Sequence, residues 1–166
     1  MTSYVPVGAA TDGRDPEKSV DNILSEDFLQ TYDHVDCLSM MEVAAYMHAD
    51  VEKRKGERGP IGDNIIFQKT KEYVDKFCAI SQPEERLTEI QDLKETLRRM
   101  VFYHPDDPEQ ELRLSNPEIS MLINILPDDY DSAKTLIPSL HKRKFSQQNV
   151  EEILKVLEKK VDALAQ

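Results

Sequence analysis

The sequence has no tryptophan and few aromatic residues, and hydrophobic residues make up only 39% of its 166 positions. Because globular domains usually have a larger apolar share, we expect one domain with a thin, aliphatic core that depends on a partner. The two cysteines, Cys37 and Cys78, are too few and too far apart for a disulfide framework. This favours a reducing, intracellular compartment.

The sequence also lacks a long apolar run and an excess of basic charge. No window approaches the roughly 18 uninterrupted apolar residues of a membrane span, and the N-terminus has no basic start typical of a signal peptide. The net charge of −11 argues against a surface that wraps nucleic-acid phosphates or anionic lipid. We therefore expect a protein partner and no membrane association.

Motifs for catalysis and cofactor binding are missing as well. No GxSxG, HExxH or Walker spacing occurs, and the Gly56-x-x-Gly59-x-x-Gly62 stretch lacks the Lys-Ser/Thr pair that would bind a phosphate. His34-x-x-Cys37 is a lone pair, whereas a zinc site needs four convergent ligands. We expect no enzymatic activity, no metal and no cofactor.

Helical signals recur along the chain, and no segment shows the sustained alternation typical of a strand. Capping boxes begin at Ser39, Ser81 and Ser115, each with a glutamate three residues later. With the apolar spacing, they predict an all-α protein. The expected helices span about residues 40–55, 64–80 capped by Asp63, 83–101, 116–126, a short one capped by Asp128 or Asp129 and ended by Pro138, and 147–164.

The chain divides into three parts. Residues 1–19 mix small, polar and proline residues without periodicity, which predicts a disordered acidic tail. Residues 20–110 combine a partly extended N-terminal segment with long helices, and residues 103–110 read as an acidic, proline-containing connection. Residues 111–166 predict a C-terminal helical bundle. Its expected core consists of Ile119, Leu122, Leu126, Leu136, Ile137, Leu154 and Leu157.

Residues 20–80 carry more apolar surface than their own helices need. Short apolar pieces before Cys37 lie among acids with no clean period, and the helix from Met40 adds several adaptable methionines. We therefore expect this region to bind a partner and not to fold stably alone. The predicted partner-binding residues are Phe28, Leu29, Val35, Leu38, Met40, Met41, Val43 and Met47.

A basic run, residues 141–144, precedes the last helix. Such a run could contact RNA, act as a nuclear address or form a solvated turn, and short runs are most often solvated turns. Lys142, Arg143 and Lys144 are the candidates for nucleic-acid contact.

The last third of the chain resembles a known family. Ser115-Asn116-Pro117-Glu118-Ile119 and, most sharply, Leu136-Ile137-Pro138-Ser139-Leu140 resemble the C-terminal module of the small stalk subunit, the fourth subunit, of eukaryotic RNA polymerase II. Lys69-Thr70-x-x-Tyr73-x-x-x-Phe77 resembles the central helix of that family. Leu38-Ser39 matches the start of an earlier helix.

The resemblance covers about residues 36–158 and implies a non-catalytic protein with a C-terminal HRDC-like bundle. It implies a heterodimer with the larger, OB-fold-bearing stalk subunit, docked on the polymerase core beside the RNA exit channel in the nucleus. Such a subunit acts in transcription initiation and elongation and reaches nascent RNA through its partner. Archaeal RNA polymerase has a counterpart of this small stalk protein.

Two alternatives stay open at this point. One is the equivalent small stalk subunit of RNA polymerase III, whose members usually lack the Leu-Ile-Pro-Ser-Leu block. The other is a free-standing HRDC-like module that binds nucleic acid through a basic face, which the net charge disfavours.

Overall fold

A computed structural model of the chain describes residues 26–54, 64–78 and 81–165. Most of these residues form α-helices, and the sheet they contain has two short strands. The expected all-α class is confirmed. The tail predicted at residues 1–19 and the glycine-rich stretch at 56–62 lie outside the described residues.

The elements fall into an N-terminal part, a hairpin and a C-terminal part. The N-terminal part has α1 (Glu26–Tyr32), α2 (Met40–Arg54), α3 (Ile65–Phe77) and α4 (Leu87–Arg99). The hairpin has β1 (Phe102–His104) and β2 (Asp107–Leu112). The C-terminal part has α5 (Asn116–Ile125), α6 (Tyr130–Leu136), α7 (Pro138–Lys142) and α8 (Gln147–Ala165). In the described ranges no helix combines the length and apolarity needed to cross a bilayer.

Two of the three predicted capping boxes form. At the start of α2, the Ser39 backbone N–H donates to the Glu42 carboxylate at 2.7 Å, and the Glu42 N–H donates to Ser39 Oγ at 3.3 Å. At the start of α5, the Ser115 N–H and hydroxyl both donate to Glu118 Oε2 at 2.9 Å. These starts follow from local sequence, because every partner lies within one helical turn.

The third predicted box, at Ser81, is wrong. Residues 83–86 form a turn, and α4 begins only at Leu87. The Glu84 carboxylate contacts the His48 ring at 2.9 Å instead of reaching back to Ser81. A contact between residues distant in sequence therefore overrides the local motif.

The cap of α3 also differs from the prediction. Asn64, not Asp63, is its N-cap, and the Asn64 side-chain oxygen accepts bonds from the Ile66 and Phe67 backbone N–H groups. Both residue types suit this position, so the sequence alone does not decide between neighbours.

The predicted connection at residues 103–110 is a β-hairpin. Phe102 pairs with Leu112 and Tyr103 with Glu111, and the register shifts before His104. Phe102 and Leu112 are buried, and the Phe102 ring packs edge-on against Phe145 with centroids 5.8 Å apart. Because so few hairpin residues face inward, the alternation that identifies strands is too short to see in the sequence.

One apolar cluster joins α4 and the hairpin to the C-terminal helices. Ile90, Leu93 and Leu97 of α4 are fully buried in it. Leu126, at the C-cap of α5, is half-buried at its edge. The cluster also contains five predicted bundle residues, Ile119, Leu122, Ile137, Leu154 and Leu157.

Leu136 is a correction to the predicted bundle core, since its side chain is 49% exposed. Helix α6 ends at Leu136, and Ile137 leaves the helical region at φ −128° and ψ 74°. The inward positions are taken by Ala133 and Ile137, both fully buried. Pro138 ends α6, as predicted, and is also the first residue of α7.

A buried ion cluster joins α2 to α4. Lys94 Nζ donates to Glu42 Oε1 at 3.0 Å, to Asp36 Oδ1 at 2.9 Å and to the Cys37 carbonyl at 3.0 Å. Burial lowers the pKa of Lys94, but hydrogen bonds and charge from Asp36 and Glu42 outweigh it and hold that pKa above its ordinary value. Lys94 is therefore a cation at neutral pH.

A polar stripe on α5 holds the segment before α2. The Asn116 amide donates to the Asp33 carbonyl at 2.6 Å, the Ser120 hydroxyl donates to the Cys37 carbonyl at 2.5 Å, and Asn124 Oδ1 accepts from the Met40 N–H at 2.7 Å. The three side chains are spaced four residues apart on one helix face. They supply partners for backbone groups that no strand or helix pairs.

We expect Lys94→Met to lower the free energy of unfolding by about 3–5 kcal/mol, because it leaves the buried Glu42 carboxylate without a cation. Urea unfolding of the full chain measures the change. Adding Glu42→Gln to this variant should recover part of the loss.

Lys160→Met is the matched control. It breaks the exposed pair between Lys160 and Asp92, 2.5 Å apart, and should cost far less than Lys94→Met, because solvent screens the pair. Equal losses from the two lysine variants would contradict a structural role of the buried pair.

Candidate partner interface

Helix α3 carries large apolar side chains on its outer side. Ile66, Tyr73 and Phe77 follow helical spacing, and Ile65 lies beside them; their exposure ranges from 54% at Phe77 to 77% at Ile66. The Tyr73 and Phe77 rings pack on each other with centroids 4.7 Å apart. We call Ile65, Ile66, Tyr73 and Phe77 the α3 apolar face.

A charged cluster on the inner side of α3 sets its orientation. His48 of α2 contacts Asp75 of α3 through Nε2 at 2.7 Å and Glu84 through Nδ1 at 2.9 Å. Lys71 Nζ donates to Asp75 Oδ2 at 2.5 Å and lies 2.9 Å from His48 Nε2. Val74, beside these groups on the helix, is buried. Because polar groups and Val74 take the inner side, the apolar face is turned outward.

The predicted partner-binding residues divide into three groups. Val35 and Leu38 are exposed. Phe28, Met40, Val43 and Met47 are half-buried, and the Phe28 ring packs on Tyr32 with centroids 4.5 Å apart. These six stay candidates for partner contact.

Leu29 and Met41 are corrections, because the chain buries them itself. Met41 is 1% exposed and belongs to the core cluster, and Leu29 is 4% exposed on α1, which packs against α5. Both face inward, so neither is available to a partner.

The sequence interpretation missed the exposure of the α3 apolar face. The spacing of Ile66, Tyr73 and Phe77 predicts an amphipathic helix. It does not show whether the apolar side packs against the rest of this chain or is exposed. Which side of this helix is covered depends on its contacts with α2, such as His48 to Asp75, and the spacing does not show those contacts.

The basic run before α8 is partly internal. The Arg143 guanidinium donates to the Glu118 carboxylate and, at 2.8 Å, to the Arg113 carbonyl, and it lies 5.5 Å from the centre of the Phe145 ring. Glu118 is fully buried, and Ser139 Oγ donates to its other oxygen at 2.7 Å. Arg143 therefore neutralises a buried carboxylate, and its hydrogen bonds in the described part of the chain are internal. Contact of Arg143 with nucleic acid stays a prediction.

Lys142 and Lys144 are exposed and stay candidates for nucleic-acid contact. Across the described ranges, no three His, Cys, Asp or Glu side chains converge where they could hold a metal ion.

The cluster around His48 makes the α2–α3 contact sensitive to acid. Burial raises the pKa of Asp75, but hydrogen bonds from Lys71 and His48 outweigh it and hold that pKa below its ordinary value of 3.8. A carboxyl with a lowered folded pKa contributes stability that is present above its unfolded pKa and lost as pH falls through the folded value.

We therefore expect Asp75→Asn to lower stability at neutral pH and to have a smaller effect at about pH 3, where the wild-type contribution is already reduced. Urea midpoints at the two pH values measure this difference. The control is Asp106→Asn in the hairpin turn, because the Asp106 carboxylate has no hydrogen-bond or ion-pair partner among the described residues. An equal effect of Asp75→Asn at both pH values would contradict the assignment.

Comparison with known proteins adds one match. A family model described as RNA polymerase Rpb4 matches residues 37–161. The match covers more than half of the chain and includes both the α3 apolar face and the C-terminal helices. No curated protein sequence matches the chain.

Proposed function

Because the chain belongs to the RNA polymerase Rpb4 family, whose members are non-catalytic stalk subunits, we propose that it is the small stalk subunit of RNA polymerase II. In this role it forms a heterodimer with the larger, OB-fold-bearing stalk subunit near the RNA exit channel. It acts in transcription initiation and elongation in the nucleus, and the polymerase chemistry belongs to other subunits.

The α3 apolar face is the observation that carries the heterodimer. Each of its four large side chains is more than half exposed on one helix. Soluble proteins seldom leave such a surface uncovered unless another molecule binds it. Val35, Leu38 and Tyr46 add exposed apolar area from the same N-terminal part of the chain.

The block at residues 136–140 supports polymerase II over polymerase III. It forms the junction of α6 and α7, where Ile137 and Leu140 are buried in the core. Ser139 of the block bonds to the buried Glu118. The residues that resemble the polymerase II subunit therefore have a structural role in this chain, at the junction of α6 and α7.

A free-standing nucleic-acid module has less support. The net charge is −11, and Arg143 is engaged with Glu118. Lys142 and Lys144 alone make a small basic surface, whereas stand-alone binders usually present a basic patch or stripe.

Replacing Tyr73 and Phe77 together by Ser should reduce co-purification with the larger stalk subunit at least about tenfold, because two exposed apolar anchors are removed. Helicity and thermal unfolding of the subunit should change little, since both side chains are more than half exposed. Pull-down of co-expressed subunits and circular dichroism measure the two effects.

The matched control replaces Tyr103 and Leu136 by Ser. These side chains are 57% and 49% exposed, but they lie on the hairpin and at the end of α6. Unchanged co-purification of the α3 variant, or an equal loss in this control, would place the interface elsewhere.

Affinity purification of the full chain from native nuclear extract, followed by mass spectrometry, tests the choice of polymerase. We expect polymerase II subunits together with the larger stalk subunit. Recovery of polymerase III subunits alone would overturn the assignment to polymerase II, and recovery of no polymerase subunit would overturn the proposed function.

A further inference from the structure

A groove of about 630 Å³ runs between α8 and the connection from α5 to α6. Helix α8 forms one wall through residues of a single face, and the other wall is the chain around Pro127. The floor of the groove is apolar and consists of Leu126, Pro127, Tyr130, Leu154, Leu157 and Val161.

The rim of this groove is strongly acidic. One basic residue, Lys155, faces five carboxylates, which belong to Asp128, Asp129, Glu151, Glu158 and Asp162. Two carboxylates are engaged, since Asp129 caps α6 and Glu151 accepts a bond from Gln147 at 2.8 Å. Within the described ranges the other three have no hydrogen-bond or ion-pair partner. The rim therefore carries an excess of negative charge, and three of its carboxylates have no ion-pair partner in the described ranges.

We propose that this groove binds a short amphipathic helix of a partner protein, with its apolar side on the groove floor and Lys or Arg residues along its edges. The charge of the rim selects a basic occupant and disfavours nucleic acid. It also disfavours residues 1–25 of this chain, which hold four acidic and two basic residues. A second copy would bring a net charge of −11 to the same rim.

The shape of the groove favours a helix over an extended peptide. From Glu151 to Asp162 the wall is about 16 Å long at a rise of 1.5 Å per residue, which matches about three helical turns. A helix satisfies its own backbone hydrogen bonds, whereas an extended peptide needs free backbone partners that a helical wall does not offer. Amphipathic helices in apolar grooves are a common recognition mode.

The proposal does not depend on the α3 apolar face or on the identity of the polymerase. The groove is built from α8, the connection from α5 to α6 and the first residue of α6, whereas the α3 apolar face belongs to the N-terminal part. A variant that loses binding of the basic helix but keeps heterodimer formation, or the reverse, therefore distinguishes the two sites.

The probe is a fluorescently labelled synthetic helix of about three turns, with leucines at helical spacing and lysines on both flanks. Its affinity for the full chain is measured by fluorescence anisotropy. We expect binding that weakens as salt rises, and binding at least about tenfold weaker to the variant Glu158→Lys with Asp162→Lys. A second peptide with the same leucines and glutamates in place of the lysines should bind at least about tenfold more weakly to the wild-type chain.

The matched control variant is Glu85→Lys with Glu152→Lys. It changes the net charge by the same amount at two exposed carboxylates outside the groove and should leave the affinity unchanged. Circular dichroism shows whether each variant is folded. If the charge reversal unfolds the protein, Glu158→Gln with Asp162→Asn takes its place, with an expected intermediate loss of affinity.

Four results would overturn the proposal. They are no binding of the basic peptide, equal binding of the acidic peptide, equal losses in the groove and control variants, and a wild-type dimer in sedimentation that Glu158→Lys with Asp162→Lys dissociates. The last result would make the groove a contact between copies of this chain.

Discussion

A carboxylate buried at the start of a helix needs a cation from elsewhere in the chain, and this requirement positions the helices of this protein. Glu42 at the start of α2 pairs with Lys94 of α4, and Glu118 at the start of α5 pairs with Arg143 after α7. Each glutamate also closes its own capping box. Because an unpaired buried charge costs several kcal/mol, about 3–5 in typical cases, each pair ties a local helix start to the tertiary fold.

Polar contacts of this kind organise the N-terminal part around the candidate interface. The α5 side chains Asn116, Ser120 and Asn124 fix the segment leading into α2, and Lys94 holds α2 itself. Helix α3 is then attached to α2 largely through the charged cluster at His48. The inner side of α3 is thus held by hydrogen bonds and charge, and its apolar side is exposed.

The sequence predicts those parts of the fold that depend on neighbours within one turn. The box at Ser115 forms because all its partners are local, whereas the box at Ser81 fails because Glu84 contacts His48, 36 residues away in sequence. The candidate interface follows the same rule. Helical spacing identifies the helix that carries Phe77, but exposure depends on what the rest of the chain covers. The pairing of Arg143 with Glu118 could not be predicted from the sequence for the same reason, since the two residues are 25 positions apart.

The attachment of α3 has a consequence for the lifetime of the subunit. A helix held mainly by a polar cluster and one buried valine should open at a lower free energy than α4 or α5, whose side chains fill the common core. Proteases cleave such locally opened segments first. In the proposed heterodimer the partner would cover α3 and protect it from cleavage, so a subunit without its partner would be degraded from α3. The supply of the proposed partner would then set the amount of this subunit.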